Sequence, residues 1–155
     1  MHYLLIRHAQ TDANRLNRAL YGKRGAPIND AGRQQAEKLR VQLTQLGIAP
    51  TEPVAVSELL RTAQTAEAAG LQRLVVYAVL NEVSTPDPFK TNQLIAQGHI
   101  PEEARAAARR ILAHPPKELI WVTHGQVIAA LMEALGQADA HNRIPDFCEI
   151  RRIEF

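Results

Sequence analysis

The feature that most constrains the fold of this chain is the regular alternation of short apolar runs with helical patterns. Runs that favour strands occupy 1–6, 53–56, 74–79 and 119–122, and a last edge strand is expected over 149–155. Apolar spacing or composition predicts helices over 31–46, 59–69, 102–112 and 127–135. Strand and helix in this order indicate an α/β fold: a single three-layer domain with a mostly parallel central sheet and helices on both faces.

Composition excludes several classes of protein. With 155 residues, 46% of them apolar, the chain suits one domain, which we expect to span 1–155. A net charge of +2 gives no reason to expect nucleic acid or an anionic membrane as a partner. Because Cys148 is the only cysteine and no apolar run could cross a bilayer or serve as a signal peptide, we expect a cytoplasmic protein. The sequence does not indicate an oligomeric state.

Polar side chains that suit phosphate chemistry follow four of the predicted strands. Arg7 and His8 follow the first strand, and Arg61 lies one turn into the helix after the second. Glu82 follows the third strand and His124 follows the fourth. Because ligands bind at the carboxyl ends of parallel strands, we expect these five side chains to lie together.

This set of residue types predicts phosphoryl transfer. Paired arginines favour a phosphate, because guanidinium groups donate forked hydrogen bonds to oxyanions and keep their charge. A neutral histidine among them can accept a phosphoryl group, and a second, protonated histidine can donate to the phosphoryl oxygens. A carboxylate can protonate the leaving oxygen and then activate water. The histidines show no paired metal-ligand spacing and there is no acidic cluster for magnesium, so no metal or other cofactor is expected.

Five segments combine these residues with characteristic neighbours. They read Arg-His-Ala-Gln-Thr at 7–11, Pro-Ile-Asn-Asp-Ala-Gly-Arg-Gln-Gln-Ala at 27–36, Ser-Glu-Leu-Leu-Arg-Thr-Ala-Gln-Thr-Ala at 57–66, Leu-Asn-Glu at 80–82 and Thr-His-Gly-Gln-Val-Ile at 123–128. In this order they resemble the motifs of the histidine phosphatase superfamily, the phosphoglycerate-mutase-like group, along nearly the whole chain. The resemblance implies that His8 is the phospho-accepting nucleophile and Glu82 the proton donor. By this resemblance the catalytic residues are His8, Glu82 and His124. The phosphate-binding residues implied by it are Arg7, Asn14, Arg61 and His124.

The chain departs from the family pattern at two places. Ala9 stands where the family has glycine, and its methyl group is expected to narrow the approach of substrate to the backbone. Residues 83–88 replace a Gly-x-Trp-Glu-Gly run that many relatives carry after the glutamate. The chain also lacks room for the long insertions of mutases, which favours a phosphatase.

Three functions remain open at this point. The first is a metal-independent phosphatase that hydrolyses a phosphomonoester through a phosphohistidine intermediate. The second is a phosphohistidine phosphatase acting on a signalling protein, and the third is a non-catalytic phosphate-binding module. The expected partner is therefore a small phosphorylated substrate or a phosphoprotein. The loops 21–28 and 83–100 are expected to be irregular and to shape substrate choice, but no motif in them identifies a ligand.

The remaining polar and aromatic residues have structural interpretations. Ser57 is expected to cap the helix that follows it. Cys148 is expected to be packed rather than reactive, and Trp121 to belong to the core.

Overall fold

Strands and helices alternate along the part of the chain that the structure describes. The computed structural model describes residues 2–12, 24–83, 87–137 and 144–155. The strands are β1 (His2–Arg7), β2 (Pro53–Val56), β3 (Arg73–Val76), β4 (Ile120–Thr123) and β5 (Ile150–Glu154). The helices are α1 (Asp30–Gln45), α2 (Leu60–Ala68), α3 (Pro88–Ala96), α4 (Glu102–Ala113) and α5 (Gly125–Ala134), with a 3-10 turn at Ala78–Leu80. Among these helices, none has both the length and the apolar character that crossing a bilayer requires.

The five strands form one mostly parallel sheet, as the sequence predicts. Their order is β3-β2-β4-β1-β5, and only β5 runs antiparallel, at the edge beside β1. The pairing of β1 with β4 sets Arg7 opposite Thr123. The next residues, His8 and His124, therefore leave the sheet side by side at its carboxyl edge, and the His8 backbone N–H donates to Thr123 O at 3.0 Å.

Helices cover both faces of the sheet, and each face has its own apolar core. Leu5 and Trp121 point to the face that α3, α4 and α5 cover, and both are fully buried there. Ile6 and Val122 point to the opposite face, where they pack with α1 and α2, including Leu39. Successive side chains of a strand alternate between faces, so strands of four to six residues supply both cores. The three-layer architecture and the core position of Trp121 are confirmed.

Each end of α1 has a residue that suits its capping position. The Asn29 side chain caps the helix by accepting a hydrogen bond from the Gly32 backbone N–H at 2.8 Å. Gly47 follows the helix with a φ of +78°, a left-handed conformation that glycine adopts without steric cost.

The third strand is shorter than the sequence predicts. It ends at Val76 rather than at residue 79, and the chain then enters the 3-10 turn. This turn buries Leu80 completely, and the Leu80 carbonyl accepts a hydrogen bond from Thr123 Oγ1 at 2.8 Å. Burial of Leu80 draws the chain back toward the sheet and brings Glu82, two residues later, to the carboxyl edge.

The prediction of an irregular loop over 83–100 is wrong for its middle part, which forms α3. Asp87 caps this helix through a hydrogen bond from the Lys90 backbone N–H at 3.2 Å, and Pro88 lies in the first turn. Proline is favoured at that position because the first N–H groups of a helix have no partner within the helix. The Asp87-Pro88 pair is thus a signal for the start of a helix. The prolines and the glycine of the surrounding stretch suggested an irregular loop instead.

Candidate active site

Side chains from four parts of the fold meet at the carboxyl edge of the sheet, as predicted. The ring centroids of His8 and His124 are 5.3 Å apart. Arg61 Nε lies 3.3 Å from His8 Nε2. Glu82 Oε2 lies 3.6 Å from His124 Nδ1 and 3.8 Å from Arg61 Nη2. Asn14, one of the predicted phosphate ligands, lies outside the described residues.

Arg7 joins this group and is fixed by the segment that precedes β5. Its Nη1 donates to the Pro145 carbonyl at 2.8 Å, and its guanidinium carbon lies 4.1 Å from the centre of the Phe147 ring. The same ring lies 5.9 Å from the ring of His8. Burial lowers the pKa of Arg7, and the nearby Glu82 carboxylate opposes that shift. Sequence reasoning missed Pro145 and Phe147, because a contact between the two ends of a chain leaves no local signal.

The protonation state of His8 suits a nucleophile. Its Nδ1 lies 2.7 Å from the Ala9 carbonyl oxygen, which can only accept a hydrogen bond, so Nδ1 carries the proton. Nε2 therefore keeps its lone pair and accepts the hydrogen bond from Arg61 Nε. Burial, and then the Arg61 charge, lower the pKa of His8 well below its usual value, which keeps the ring neutral at pH 7.

His124 is fully buried and occupies the position before α5. The helix begins at Gly125, two residues earlier than predicted, so His124 is its N-cap residue. Burial first, and the neighbouring His8 and Arg61 next, lower the pKa of His124 well below its usual value. Among the described residues, His124 Nδ1 and Arg7 Nε are buried nitrogens without a hydrogen-bond partner.

Ser57 contacts His124 instead of capping the following helix. Its Oγ lies 2.9 Å from His124 Nε2 and accepts a hydrogen bond from the Leu59 backbone N–H at 3.2 Å. The N-cap residue of α2 is Leu59, whose side chain makes no capping bond. The prediction that Ser57 caps the helix is therefore wrong. The contact of Ser57 with His124 depends on the spatial arrangement of two strand ends, which the sequence around Ser57 does not show.

The backbone that follows His8 is held by the polar residues of the 27–36 and 57–66 motifs. The Ala9 N–H donates to Thr65 Oγ1 at 2.8 Å, and the Gln10 N–H donates to Gln35 Oε1 at 2.9 Å. Gly32 allows the first turn of α1 to approach this backbone, since a Cβ at position 32 would lie 2.4 Å from Gln10 O. These motif residues hold the backbone beside His8 in place.

The methyl group of Ala9 lies outside the pocket. Ala9 is fully buried and belongs to the core cluster on the face that α1 and α2 cover. Its Cβ would lie 3.3 Å from a Cβ built on Gly32. The expectation that this methyl group narrows the approach of substrate is therefore wrong, because the methyl packs into the core.

Three side chains of the site also form a set of candidate metal ligands. Ligand atoms of His8, Glu82 and His124 all lie within 4.8 Å of one another. Spacing along the sequence does not reveal this group, because each residue follows a different strand. Arg7 and Arg61 stand beside it, and their two positive charges favour an anion over a cation at this point. The group therefore fits a phosphate better than a metal ion.

Two of the cavities among the described residues show where a substrate could approach. One, of about 360 Å³, adjoins Glu82 and lies between the 3-10 turn and α4, with Asn81, Glu103 and Arg110 in its lining. The other, of about 410 Å³, is lined by residues at the amino ends of the strands, including Leu4 and Leu119. Only the first is next to the side chains described above.

We compared the chain with protein families, curated proteins and solved structures. The family model described as histidine phosphatase superfamily (branch 1) matches residues 3–87, more than half of the chain. No curated protein matches the chain. Among solved structures, TTHB049 from Thermus thermophilus shares 28% identity at a TM-score of 0.68, over 100% of this chain and 94% of that chain.

Two further structures are similar in fold. Rv3214 from Mycobacterium tuberculosis shares 24% identity at a TM-score of 0.64, over 99% of this chain and 91% of that chain. A phosphoserine phosphatase from Entamoeba histolytica, solved in complex with 3-phosphoglyceric acid, shares 18% identity at a TM-score of 0.68, over 97% of this chain and 89% of that chain. Together, the sheet topology, the ordered motifs and the family model show that the chain belongs to the histidine phosphatase superfamily.

Proposed function

We propose that this protein is a metal-independent phosphatase that hydrolyses a phosphomonoester through a phosphohistidine at His8. The observation that carries the proposal is the state of His8: its Nδ1 proton is held by the Ala9 carbonyl, and its Nε2 lone pair lies among cationic side chains. A neutral imidazole nitrogen beside a phosphate-binding group is a competent nucleophile.

The phosphate would bind between Arg7, Arg61 and His124. Arg7 Nε and His124 Nδ1 are buried nitrogens whose hydrogen-bonding capacity the described residues leave unused, which supports an anion at this point. His8 Nε2 then attacks the phosphorus atom. The N–P bond forms, the P–O ester bond breaks, and the electron pair leaves with the ester oxygen.

Glu82 would act as the proton donor in this first step. Its carboxylate lies within 4 Å of both Arg61 and His124, so it borders the place where the leaving oxygen departs. About 28% of its side chain is exposed, which gives it access to solvent protons. In the second step, the Glu82 carboxylate takes a proton from water, the hydroxide oxygen bonds to phosphorus, and the N–P bond breaks to release phosphate and His8.

Trapping the intermediate tests the nucleophile. The wild-type protein, incubated with a ³²P-labelled aryl phosphate and a chelator and then quenched in alkali, should carry acid-labile label. His8→Ala should carry none and should not hydrolyse the substrate. The matched control, His114→Ala, changes an exposed histidine far along the chain and should behave as wild type. Label that survives in His8→Ala, or activity that appears only with added magnesium, contradicts the proposal.

The leaving group separates the role of Glu82 from that of His8. Glu82→Gln cannot donate a proton, so hydrolysis of an alkyl phosphate, whose alkoxide is a poor leaving group, should fall by a factor of about 10² to 10⁴. The first-turnover burst of p-nitrophenol from p-nitrophenyl phosphate, whose leaving group needs no proton and which precedes the water step that Glu82 also serves, should fall much less. Equal losses in the rate of phosphoenzyme formation from both substrates would remove Glu82 from the acid role.

The substrate is proposed only as a class. We propose a small phosphorylated molecule or a phosphoprotein in the cytoplasm as the target. The net charge of +2 gives no reason to expect nucleic acid or an anionic membrane as a partner. A panel of phosphorylated metabolites, assayed without metal beside a histidine-phosphorylated carrier protein, compares the two kinds of substrate. Phosphate binding without turnover on the whole panel would contradict catalysis and leave a binding module.

A further inference from the structure

Two buried hydroxyl groups, those of Ser57 and Thr62, form a hydrogen-bonded series that ends at His124 Nε2. Ser57 Oγ lies 2.9 Å from His124 Nε2 and 2.9 Å from Thr62 Oγ1. Thr62 Oγ1 in turn lies 2.9 Å from Leu59 O and 3.2 Å from Ser57 O. The side chains of Ser57, Thr62 and His124 are at most 2% exposed. Water therefore does not compete for these hydrogen bonds, and the protons can be assigned by counting donors and acceptors.

The count begins at the carbonyl oxygens, which only accept. Thr62 has a single hydroxyl proton, and it lies toward the carbonyls of Leu59 and Ser57. The proton between the two hydroxyls must then come from Ser57, which donates to Thr62 Oγ1. Ser57 Oγ has no other proton, so toward the Leu59 N–H and toward His124 it can only accept. The arrangement that fills every one of these contacts therefore places the proton of His124 on Nε2.

The opposite arrangement is worse. If Ser57 donated to His124 Nε2, the contact of 2.9 Å between the two hydroxyl oxygens would hold no proton unless Thr62 turned away from its carbonyls. Either change gives up a buried hydrogen-bonding contact, although Leu59 O keeps the Thr62 backbone N–H at 3.2 Å. The other ring nitrogen, Nδ1, makes no hydrogen bond among the described residues, and Glu82 Oε2 lies 3.6 Å from it.

We propose that Ser57 and Thr62 hold the proton of neutral His124 on Nε2, so that binding of a phosphate-like dianion draws one proton from solvent onto His124 Nδ1. The proposal rests on the proposed function only in placing the anion against Nδ1. A lone pair that faces an oxyanion repels it, whereas a protonated Nδ1 donates to it. Proton and anion therefore bind together, and Ser57 and Thr62 act as positioning residues.

The charges around His124 agree with this coupling. The groups that face it are His8 and Arg7 at the end of β1, Arg61 from α2 and Glu82 after the 3-10 turn. Burial and the first three of these keep the pKa of His124 low in the free protein, so the ring is neutral at pH 7. A bound dianion offsets the positive charges and favours the imidazolium form.

The tautomer of the free protein is the direct test. In ¹⁵N-labelled protein above pH 7, Nδ1 of His124 should show the strongly downfield shift of an unprotonated ring nitrogen, and Nε2 should show that of a protonated one. Thr62→Val removes the acceptor for the Ser57 proton, so Ser57 should turn to Nε2 and move the ring proton to Nδ1. A protonated Nδ1 in free wild-type protein overturns the proposal without reference to activity or anion binding.

Proton uptake tests the coupling. Sulfate serves as the probe because it remains a dianion at neutral pH. Calorimetry in buffers of different ionisation enthalpy should give an uptake of about one proton per sulfate, and the affinity should fall about tenfold per pH unit where uptake is complete. In Thr62→Val the uptake should fall toward zero and the pH dependence should flatten. Sulfate that binds wild type without proton uptake overturns the coupling.

The controls separate this role from a structural one. Thr44→Val makes the same change in α1, where the threonine hydroxyl donates to Arg40 O at an exposed site, and it should keep the wild-type uptake. A merely structural role of Thr62 would weaken sulfate binding at every pH and leave the proton count unchanged. Failure of sulfate to bind at all would contradict the proposed function, while the ¹⁵N spectrum of the free protein would still decide the tautomer.

Discussion

The close contact between α1 and the backbone after His8 makes Gly32→Ala an informative perturbation. A Cβ at position 32 would lie 2.4 Å from Gln10 O, about 1 Å closer than an ordinary van der Waals contact. Gln10 O cannot move freely, because it accepts a hydrogen bond from the Asn29 N–H at 3.0 Å. The Gln10 N–H is also held, by Gln35 Oε1. Either α1 or the backbone beside His8 must shift.

The expected cost follows from three terms. Overpacking of this kind costs about 1–3 kcal/mol, and a weakened Asn29–Gln10 hydrogen bond adds about 1 kcal/mol. The higher helix propensity of alanine returns about 1 kcal/mol. We therefore expect Gly32→Ala to lower the free energy of unfolding by about 1–3 kcal/mol. Hydrolysis of an aryl phosphate should fall at least tenfold, because the shift displaces the backbone two residues from His8.

Urea denaturation followed by circular dichroism measures the first quantity, and kcat/KM per folded molecule measures the second. The control is Gly47→Ala, where a Cβ would meet nothing within 4 Å but the φ of +78° strains any other residue. It should cost about 1 kcal/mol and leave kcat/KM unchanged. If Gly32→Ala is as stable and as active as wild type, the argument from close approach is refuted.

Three further predictions concern the site and the thiol. Phe147→Leu removes the ring that lies 4.1 Å from the Arg7 guanidinium, so the Kd for tungstate, measured by calorimetry, should rise about fivefold; an unchanged Kd would mean that the ring contributes nothing to anion binding. The pKa values of His8 and His124 are lowered by folding, so the unfolded state binds more protons below about pH 6.5, and the free energy of unfolding should fall there by up to about 1.4 kcal/mol per pH unit for each ring and be level above it. Urea titrations across that range, with and without sulfate, should show sulfate reducing the slope. Burial raises the pKa of the Cys148 thiol to about 12, so Ellman's reagent should react only after denaturation; rapid reaction of the native protein would contradict its packed position.

Local sequence patterns were sufficient for the architecture because they report on single elements. Alternating apolar runs and helical spacing predicted the parallel sheet, and the rule that ligands bind at the carboxyl ends of strands then brought Arg7, His8, Arg61, Glu82 and His124 to one edge. The two errors, at the end of β3 and at the start of α3, arise where neighbouring residues favour different secondary structures. Pro88, which begins α3, suggests a loop when it is taken with the neighbouring prolines and glycine of the sequence. The apolar run that continues past β3 suggests a longer strand, because periodicity does not mark where a chain turns.

Only the tertiary structure determined what each side chain at that edge contacts. The Ser57 contact with His124, the Phe147 ring over Arg7 and the approach of Gly32 to Gln10 join residues that are far apart in the chain. Such contacts depend on ångström-level positions set by the packing of whole helices against the sheet, and no local pattern encodes them. The same packing determines which nitrogen of each buried histidine carries its proton, because the answer depends on which acceptor the fold places beside it. The sequence thus predicts the residues of this site, and their chemical state follows from the fold.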